Sequence, residues 1–196
     1  MSKRNSSHLY RKVAQLHCDQ INQGFLATLG PSFLTLLYEA IDKDESSVLI
    51  AKKVDGEIIG FISGGASLRP IFKQLLHRPF SLFLVLISCV FSISKLKKII
   101  EILLIGKKNP ILTGLPQHEL FTIAVNPLFQ GNGCAHDLFD SLCNYFKEIN
   151  VTNFKIVVGS DLARPHSFYL KMGCIVAGEI EVHKGKKSMV YIKKCS

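Results

Sequence analysis

His118-Glu119-Leu120-Phe121-Thr122-Ile123-Ala124-Val125, followed by Asn126-Pro127-Leu128-Phe129 and then by Gln130-Gly131-Asn132-Gly133-Cys134-Ala135, is the stretch that decides the fold. Glu119 to Val125 is short, holds β-branched and aromatic residues, and closes on Asn-Pro, so it reads as a strand. From Ala135 onward Leu138, Leu142, Tyr145 or Phe146, and Ile149 recur at helical spacing. A loop with Gly131 and Gly133 separates strand from helix. Bare backbone there admits a ligand closely. The N–H groups at a helix start carry roughly half a positive charge, which suits a phosphate or pyrophosphate. On its own, a glycine pair before a helix is often only a turn.

About thirty residues on, Arg164-Pro165-His166-Ser167-Phe168-Tyr169-Leu170-Lys171-Met172-Gly173 has proline near a helix start and glycine as its C-terminal cap. Together the two stretches resemble the GNAT acyltransferases. That family's first motif, Gln/Arg-x-x-Gly-x-Gly/Ala after a strand, is met by Gln130, Gly133 and Ala135. Its second, a helix with Phe-Tyr followed by glycine, is met by Phe168, Tyr169 and Gly173. The resemblance covers residues 47–194 well and the N-terminus loosely.

Composition narrows the field. At 196 residues the chain is expected to form a single domain, 1–196, large enough for a substantial core. With 47% hydrophobic residues, disorder is not expected. The first residues are polar and no apolar run follows, so no secretory signal is expected. Cys18, Cys89, Cys134, Cys143, Cys174 and Cys195 are scattered without a Cys-x-x-Cys pair. That pattern argues against a zinc site and suits free thiols in a cytoplasmic protein.

The net charge of +9 invites nucleic-acid or anionic-membrane readings. Most of it lies in one segment: Arg69, Lys73, Arg78, Lys95, Lys97, Lys98, Lys107 and Lys108 face a single acid, Glu101. The segment lacks an interleaved aromatic–basic pattern, so no nucleic-acid partner is expected.

Along the chain, Leu9, Val13, Leu16 and Ile21 predict a helix over 8–22. A second helix is predicted from Pro31 to about Asp42 with Phe33, Leu34, Leu37, Tyr38 and Ile41 inward. Strands 47–54 and 57–63 flank Asp55-Gly56, a hairpin turn, and Gly64-Gly65 ends the hairpin. Strands 119–125 and 153–159 follow, then a hairpin of 174–183 and 186–194 about Lys184-Gly185. This order predicts a three-layer α/β sandwich: a mixed central sheet with helices on both faces. The family's usual first strand has only Ser6–Tyr10 as a poor candidate.

Residues 68–108 form a basic and apolar helical insertion. Pro70 and Pro79 sit where helices can start, Ser94 is a good N-cap, and Leu96, Ile99, Ile100, Leu103 and Leu104 form an apolar stripe. Phe80–Ile93 is apolar almost all round but several residues short of the about 20 that a bilayer span needs. Buried packing, a homodimer contact and a peripheral contact with an anionic membrane stay open.

The resemblance implies acetyl transfer from acetyl-CoA to a small-molecule amine, an amino sugar or a lipid-linked acceptor among them, in a ternary complex. It implies that the backbone N–H groups of Gln130, Gly131, Asn132, Gly133, Cys134 and Ala135 hold the CoA pyrophosphate. The edge of Ile123, Ala124 and Val125 would pair with the pantetheine arm. An opening between this strand and 153–159 would seat the thioester. Tyr169 would be the general acid. Glu119 would be the general base, directly or through water, with His118 on the opposite face as the neighbouring candidate, so that at most one of the pair serves. Where family members often carry Asn, this chain has Leu162, and Ser160 or Asp161 is the expected substitute contact with CoA. Cys134 reads as a small buried residue rather than a nucleophile. No metal is implied. The alternative is a non-catalytic acetyl-CoA-binding interaction or sensing module.

Overall fold

The structure is a computed structural model and describes residues 3–21, 26–76, 114–183 and 186–195. Helix α1 runs Lys3–Gln20, longer at its start than the apolar spacing predicts, and no strand precedes it among the described residues. A single 3-10 turn, Leu26–Leu29, leads into α2, Gly30–Lys43, with proline in its first turn and Phe33, Leu34, Leu37, Tyr38 and Ile41 buried as expected.

β1 (Ser47–Val54) and β2 (Glu57–Gly65) form the hairpin about Asp55-Gly56. β2 extends through Gly64-Gly65 instead of stopping before them, because both glycines still pair with β1 and β3. α3 is Leu68–Leu76. The rest of the insertion, with Phe80–Ile93, Ser94, the Leu96–Leu104 stripe and most of its lysines, lies outside the described residues. β3 (Glu119–Val125) leads through a 3-10 turn, Pro127–Phe129, and the glycine loop to α4 (Cys134–Glu148). Then come β4 (Asn153–Gly159), α5 (Ala163–Lys171), β5 (Ile175–His183) and β6 (Lys186–Lys194).

The six strands make one mixed sheet in the order β1-β2-β3-β4-β6-β5, parallel between β3 and β4 and antiparallel elsewhere. Helices cover both faces, as the sequence predicts. α1, α2 and α3 bury Leu49, Phe61 and Ala124 on one side. α4 and α5 bury Ile59, Ile62, Leu120, Val125, Phe154, Ile156 and Tyr191 on the other. Each fully buried aromatic in this second layer, such as Phe139, Phe146 or Phe154, contributes about 1.5–3 kcal/mol relative to exposure.

α4 packs directly against the bare backbone of Gly60 and Gly64. A Cβ at Gly60 would lie 3.0 Å from Leu138 Cδ1 and 3.2 Å from Cys134 Sγ, and one at Gly64 would lie 3.0 Å from Leu142 Cδ1. The missing side chains are a groove for the helix. That groove fixes the height of the helix start above the sheet. Among the described residues no helix is long and apolar enough to cross a membrane.

Candidate active site

The parallel ladder between β3 and β4 is two residue pairs long: Glu119 with Lys155 and Leu120 with Ile156. Beyond Leu120 the two strands part, at the position where the family resemblance implies an opening. The cause is local. β3 pairs with β2 as Ser63–Thr122 and then Gly64–Leu120, so Phe121 is an extra residue on β3. Such a bulge bends its strand and steepens its twist, which turns the far half of β3 away from β4. Phe121 packs into the α1–α2–α3 core, whereas Leu120 and Ile123 pack on the α4 side.

Lys155 closes the ladder's near end. Its backbone N–H donates to the His118 carbonyl at 2.9 Å. Its ammonium donates to the carbonyls of Pro116 at 2.9 Å and Gln117 at 3.1 Å, and pairs with the Glu119 carboxylate at 3.3 Å. Glu119 thus stands at the closed end of the opening with one carboxylate oxygen engaged. His118 lies on the other face, edge-on to Phe146, as the alternation of strand residues requires. Burial lowers the His118 pKa, helped by the Lys155 charge.

The open edge of β3 can be resolved group by group. Asn126 N–H donates to the Ile59 carbonyl at 2.8 Å, so by alternation the polar groups of Ala124 face β2 and those of Ile123 and Val125 face the opening. Ala124 therefore has no backbone group to offer on that side, contrary to the sequence expectation. The Val125 carbonyl accepts from the Gln130 side-chain amide at 3.0 Å, leaving Val125 N–H and both groups of Ile123 facing the opening.

Gln130 braces the loop, and its backbone N–H, which the resemblance assigns to the pyrophosphate, is already engaged. Its side chain ties the loop to the end of β3, and its own N–H donates to the Pro127 carbonyl at 3.2 Å. The preceding turn is held by Asn126, whose side chain accepts from Leu128 N–H at 3.0 Å. Gly131 and Gly133 take φ values of +81° and +78°, the left-handed region where glycine is unstrained, and a Cβ at either would meet nothing within 4 Å. Their bareness therefore serves the backbone turn and leaves open space above it.

The first helical bond of α4 runs from Asp137 N–H to the Gly133 carbonyl at 3.0 Å. The N–H groups of Cys134, Ala135 and His136 precede that ladder and point out of the helix start. The Lys52 ammonium of β1 is paired with Asp137 on this first turn. Cys134 itself is buried against Gly60, and burial raises its thiol pKa. It is a packing residue, as expected.

Tyr169 of α5 is 5% exposed, with its ring among Phe139, Phe168 and Tyr191. Its hydroxyl has no hydrogen-bond partner among the described residues. Burial first, and then the nearby Cys174, push its pKa well above the ordinary phenol value. Ser160 is exposed just past β4, its N–H donating to the Lys187 carbonyl at 3.1 Å, so its backbone N–H is not available to a ligand. Leu162 begins α5 without a capping side chain and is 40% exposed.

Three features of this site had no sequence reading: the bulge at Phe121, the Lys155 clamp, and His166. A bulge leaves no composition signal, and Lys155 acts through carbonyls, which any sequence supplies. Among the described residues no group of three His, Cys, Asp or Glu is placed to hold a metal ion.

The acetyltransferase (GNAT) family model matches residues 14–174 of the chain. No curated protein matches it significantly. Among solved structures, an aminoglycoside 6'-N-acetyltransferase complexed with coenzyme A superposes with a TM-score of 0.61 at 13% identity, covering 100% of this chain and 95% of that one. An aminoglycoside 6'-acetyltransferase type Ii gives 0.57 at 14% identity, covering 94% and 90%. An N-acetyltransferase from Staphylococcus aureus gives 0.56 at 11% identity, covering 95% and 94%. At such identities these likenesses speak for the fold.

Proposed function

The chain belongs to the acetyltransferase (GNAT) family and is an acetyltransferase, and from that premise we propose that it moves the acetyl group of acetyl-CoA to the amine of a small molecule by direct transfer in a ternary complex. One observation carries the reading: the sheet parts between β3 and β4 beside a helix start whose N–H groups have no partner among the described residues. A pyrophosphate at Gly131–His136 and an extended chain along Ile123 and Val125 are the ligand features that complement those groups. The bare space over Gly131 and Gly133 fits the same group. Similar structures crystallised with coenzyme A support the cosubstrate.

In the reaction the amine nitrogen attacks the thioester carbonyl, the C–S bond breaks, and the thiolate takes a proton. Tyr169 supplies that proton from its hydroxyl. Burial keeps the phenol protonated, and the same low-dielectric surroundings raise the basicity of a thiolate beside it, so the two stay matched. Glu119 takes the proton from the amine, with Lys155 fixing one carboxylate oxygen so that the other is aimed. The acceptor approaches from the α1–α2 face, where Glu119 and not His118 is presented.

The test is calorimetry with CoA and acetyl-CoA, followed by thiol release over a panel of kanamycin, glucosamine, spermidine and tyramine. Binding followed by release with at least one amine is expected. Binding without release on any of them would turn the reading toward a non-catalytic acetyl-CoA-binding module. No binding would end it.

A further inference from the structure

We propose that His166 is the positioning residue of the thioester seat: its ring joins the free end of β4 to Tyr191 of β6 and so fixes one wall of the opening. The inference rests on the reading of that opening as the place of the acetyl thioester. His166 lies half-buried in the first half of α5, three residues before Tyr169. Its Nε2 is 3.0 Å from the Gly159 carbonyl and its Nδ1 is 2.8 Å from the Tyr191 hydroxyl. A carbonyl can only accept, so Nε2 carries the proton. In the neutral ring Nδ1 then accepts from Tyr191 O–H. Both nitrogens are engaged and one tautomer satisfies both bonds.

What the ring holds is specific. Gly159 ends β4, the strand that leaves β3 after Ile156 and from there on pairs only with β6. The carbonyl that His166 grips therefore belongs to the wall with no second strand neighbour. Tyr191 is 3% exposed, and its ring lies 5.8 Å from His166 and 5.9 Å from Tyr169. The imidazole is thus the joint of β4, β6 and α5, and Tyr169 packs against what it fixes. Neither of its partners belongs to the glycine loop. The consequence of losing it should reach the thioester end of the site and spare the pyrophosphate end.

Two ligands separate those ends. ADP carries a pyrophosphate and no pantetheine, and acetyl-CoA carries both. His166→Phe keeps an aromatic ring but leaves the buried Tyr191 hydroxyl without an acceptor, and Tyr191→Phe removes the same bond from the other side while keeping ring packing. His166→Phe loses both bonds of the ring and is expected to bind acetyl-CoA at least about tenfold more weakly with ADP affinity unchanged, while Tyr191→Phe loses one bond, keeps the grip on Gly159, and should show a smaller fall. The double variant should lose no more than His166→Phe alone, because that variant has already broken the Tyr191 bond. His166→Gln, which can donate to Gly159 and accept from Tyr191, should recover most of the loss. A folded His166→Phe protein with wild-type acetyl-CoA affinity overturns the inference, as does a parallel fall in ADP affinity. In both cases wild-type binding keeps the acetyltransferase reading intact. Failure of the wild type to bind either ligand would overturn both.

Discussion

β3 has two edges, and they behave differently. Toward β2 it is paired along nearly its whole length, from Gly65–Glu119 to Gly60–Val125. Toward β4 it is paired at Glu119 and Leu120 alone. The closed edge is stabilised by the sheet ladder and by the helix packed into the glycine groove of β2. The open edge leaves backbone groups of Ile123 and Val125 facing a gap, which a folded chain tolerates only where solvent or a ligand satisfies them. A single extra residue, Phe121, separates the two regimes. The difference teaches where to look for function: at the groups that the strand geometry leaves unpaired, next to a helix start that also lacks partners among the described residues.

The largest effect should come from closing the open side. Gly133→Asp places a carboxylate beside the N–H groups of Cys134, Ala135 and His136, where like charge meets the incoming pyrophosphate. Space around Gly133 is free, so the fold survives, with a modest cost for the left-handed φ of +78°. CoA binding by calorimetry should vanish while the thermal melt stays within a few degrees. Unchanged affinity in a folded variant would sink the loop assignment.

Next in size is the loss of Tyr169, the proposed proton donor. Tyr169→Phe keeps the ring contacts with Phe139 and Tyr191 and removes the hydroxyl. Turnover should fall by about 10²–10⁴ with CoA affinity nearly unchanged. Turnover within a few-fold of wild type would make the tyrosine a packing residue.

These two residues were legible in the sequence because glycine in a strand–loop–helix and Phe-Tyr before glycine each carry their own pattern. The hairpin turn, the strand bounds 47–54, 119–125, 153–159 and 186–194, and the inward face of α2 were legible for the same reason: each is local. The opening was expected only through the family resemblance, and its cause at Phe121 was not visible at all. A bulge is set by register between two strands, and no residue at Phe121 announces it. Ala124 was misplaced because backbone direction depends on which neighbour pairs, not on the side chain. His166 was passed over since a lone histidine on a helix shows neither its tautomer nor its partners.

The closed side makes its own prediction, in pH. His17 of α1 is 2% exposed and bonds Tyr38 through Nδ1 at 2.6 Å, and its ring stacks on Phe61 of β2. Burial lowers its pKa to about 4. The folded state therefore favours neutral imidazole, while the unfolded chain takes up a proton near the ordinary value of about 6.5. Stability from this group is complete above pH 6.5 and is lost as the pH falls from there toward 4. The full loss is about 3 kcal/mol. Urea unfolding at pH 7 and pH 4.5 measures it, and His17→Gln should flatten the dependence. An equal pH slope in the variant would assign the loss elsewhere.

The smallest effect should come from Gly60→Ala, which presses on the closed edge from the helix side. The added methyl would stand 3.0 Å from Leu138 Cδ1, 3.2 Å from the Ala124 carbonyl and 3.2 Å from Cys134 Sγ. These are buried neighbours, so α4 must lift by a few tenths of an ångström. Overpacking of this kind costs about 1–3 kcal/mol, and a chain of this size loses about 2–4 °C in melting temperature for each kcal/mol. Cys134 is the first residue of α4, so the lift is felt at the loop N–H groups proposed to meet a pyrophosphate. CoA affinity should fall less than tenfold, well short of the loss at Gly133. A melt lowered without any change in CoA affinity would show that the helix start is set by its loop and not by the glycine groove beneath it.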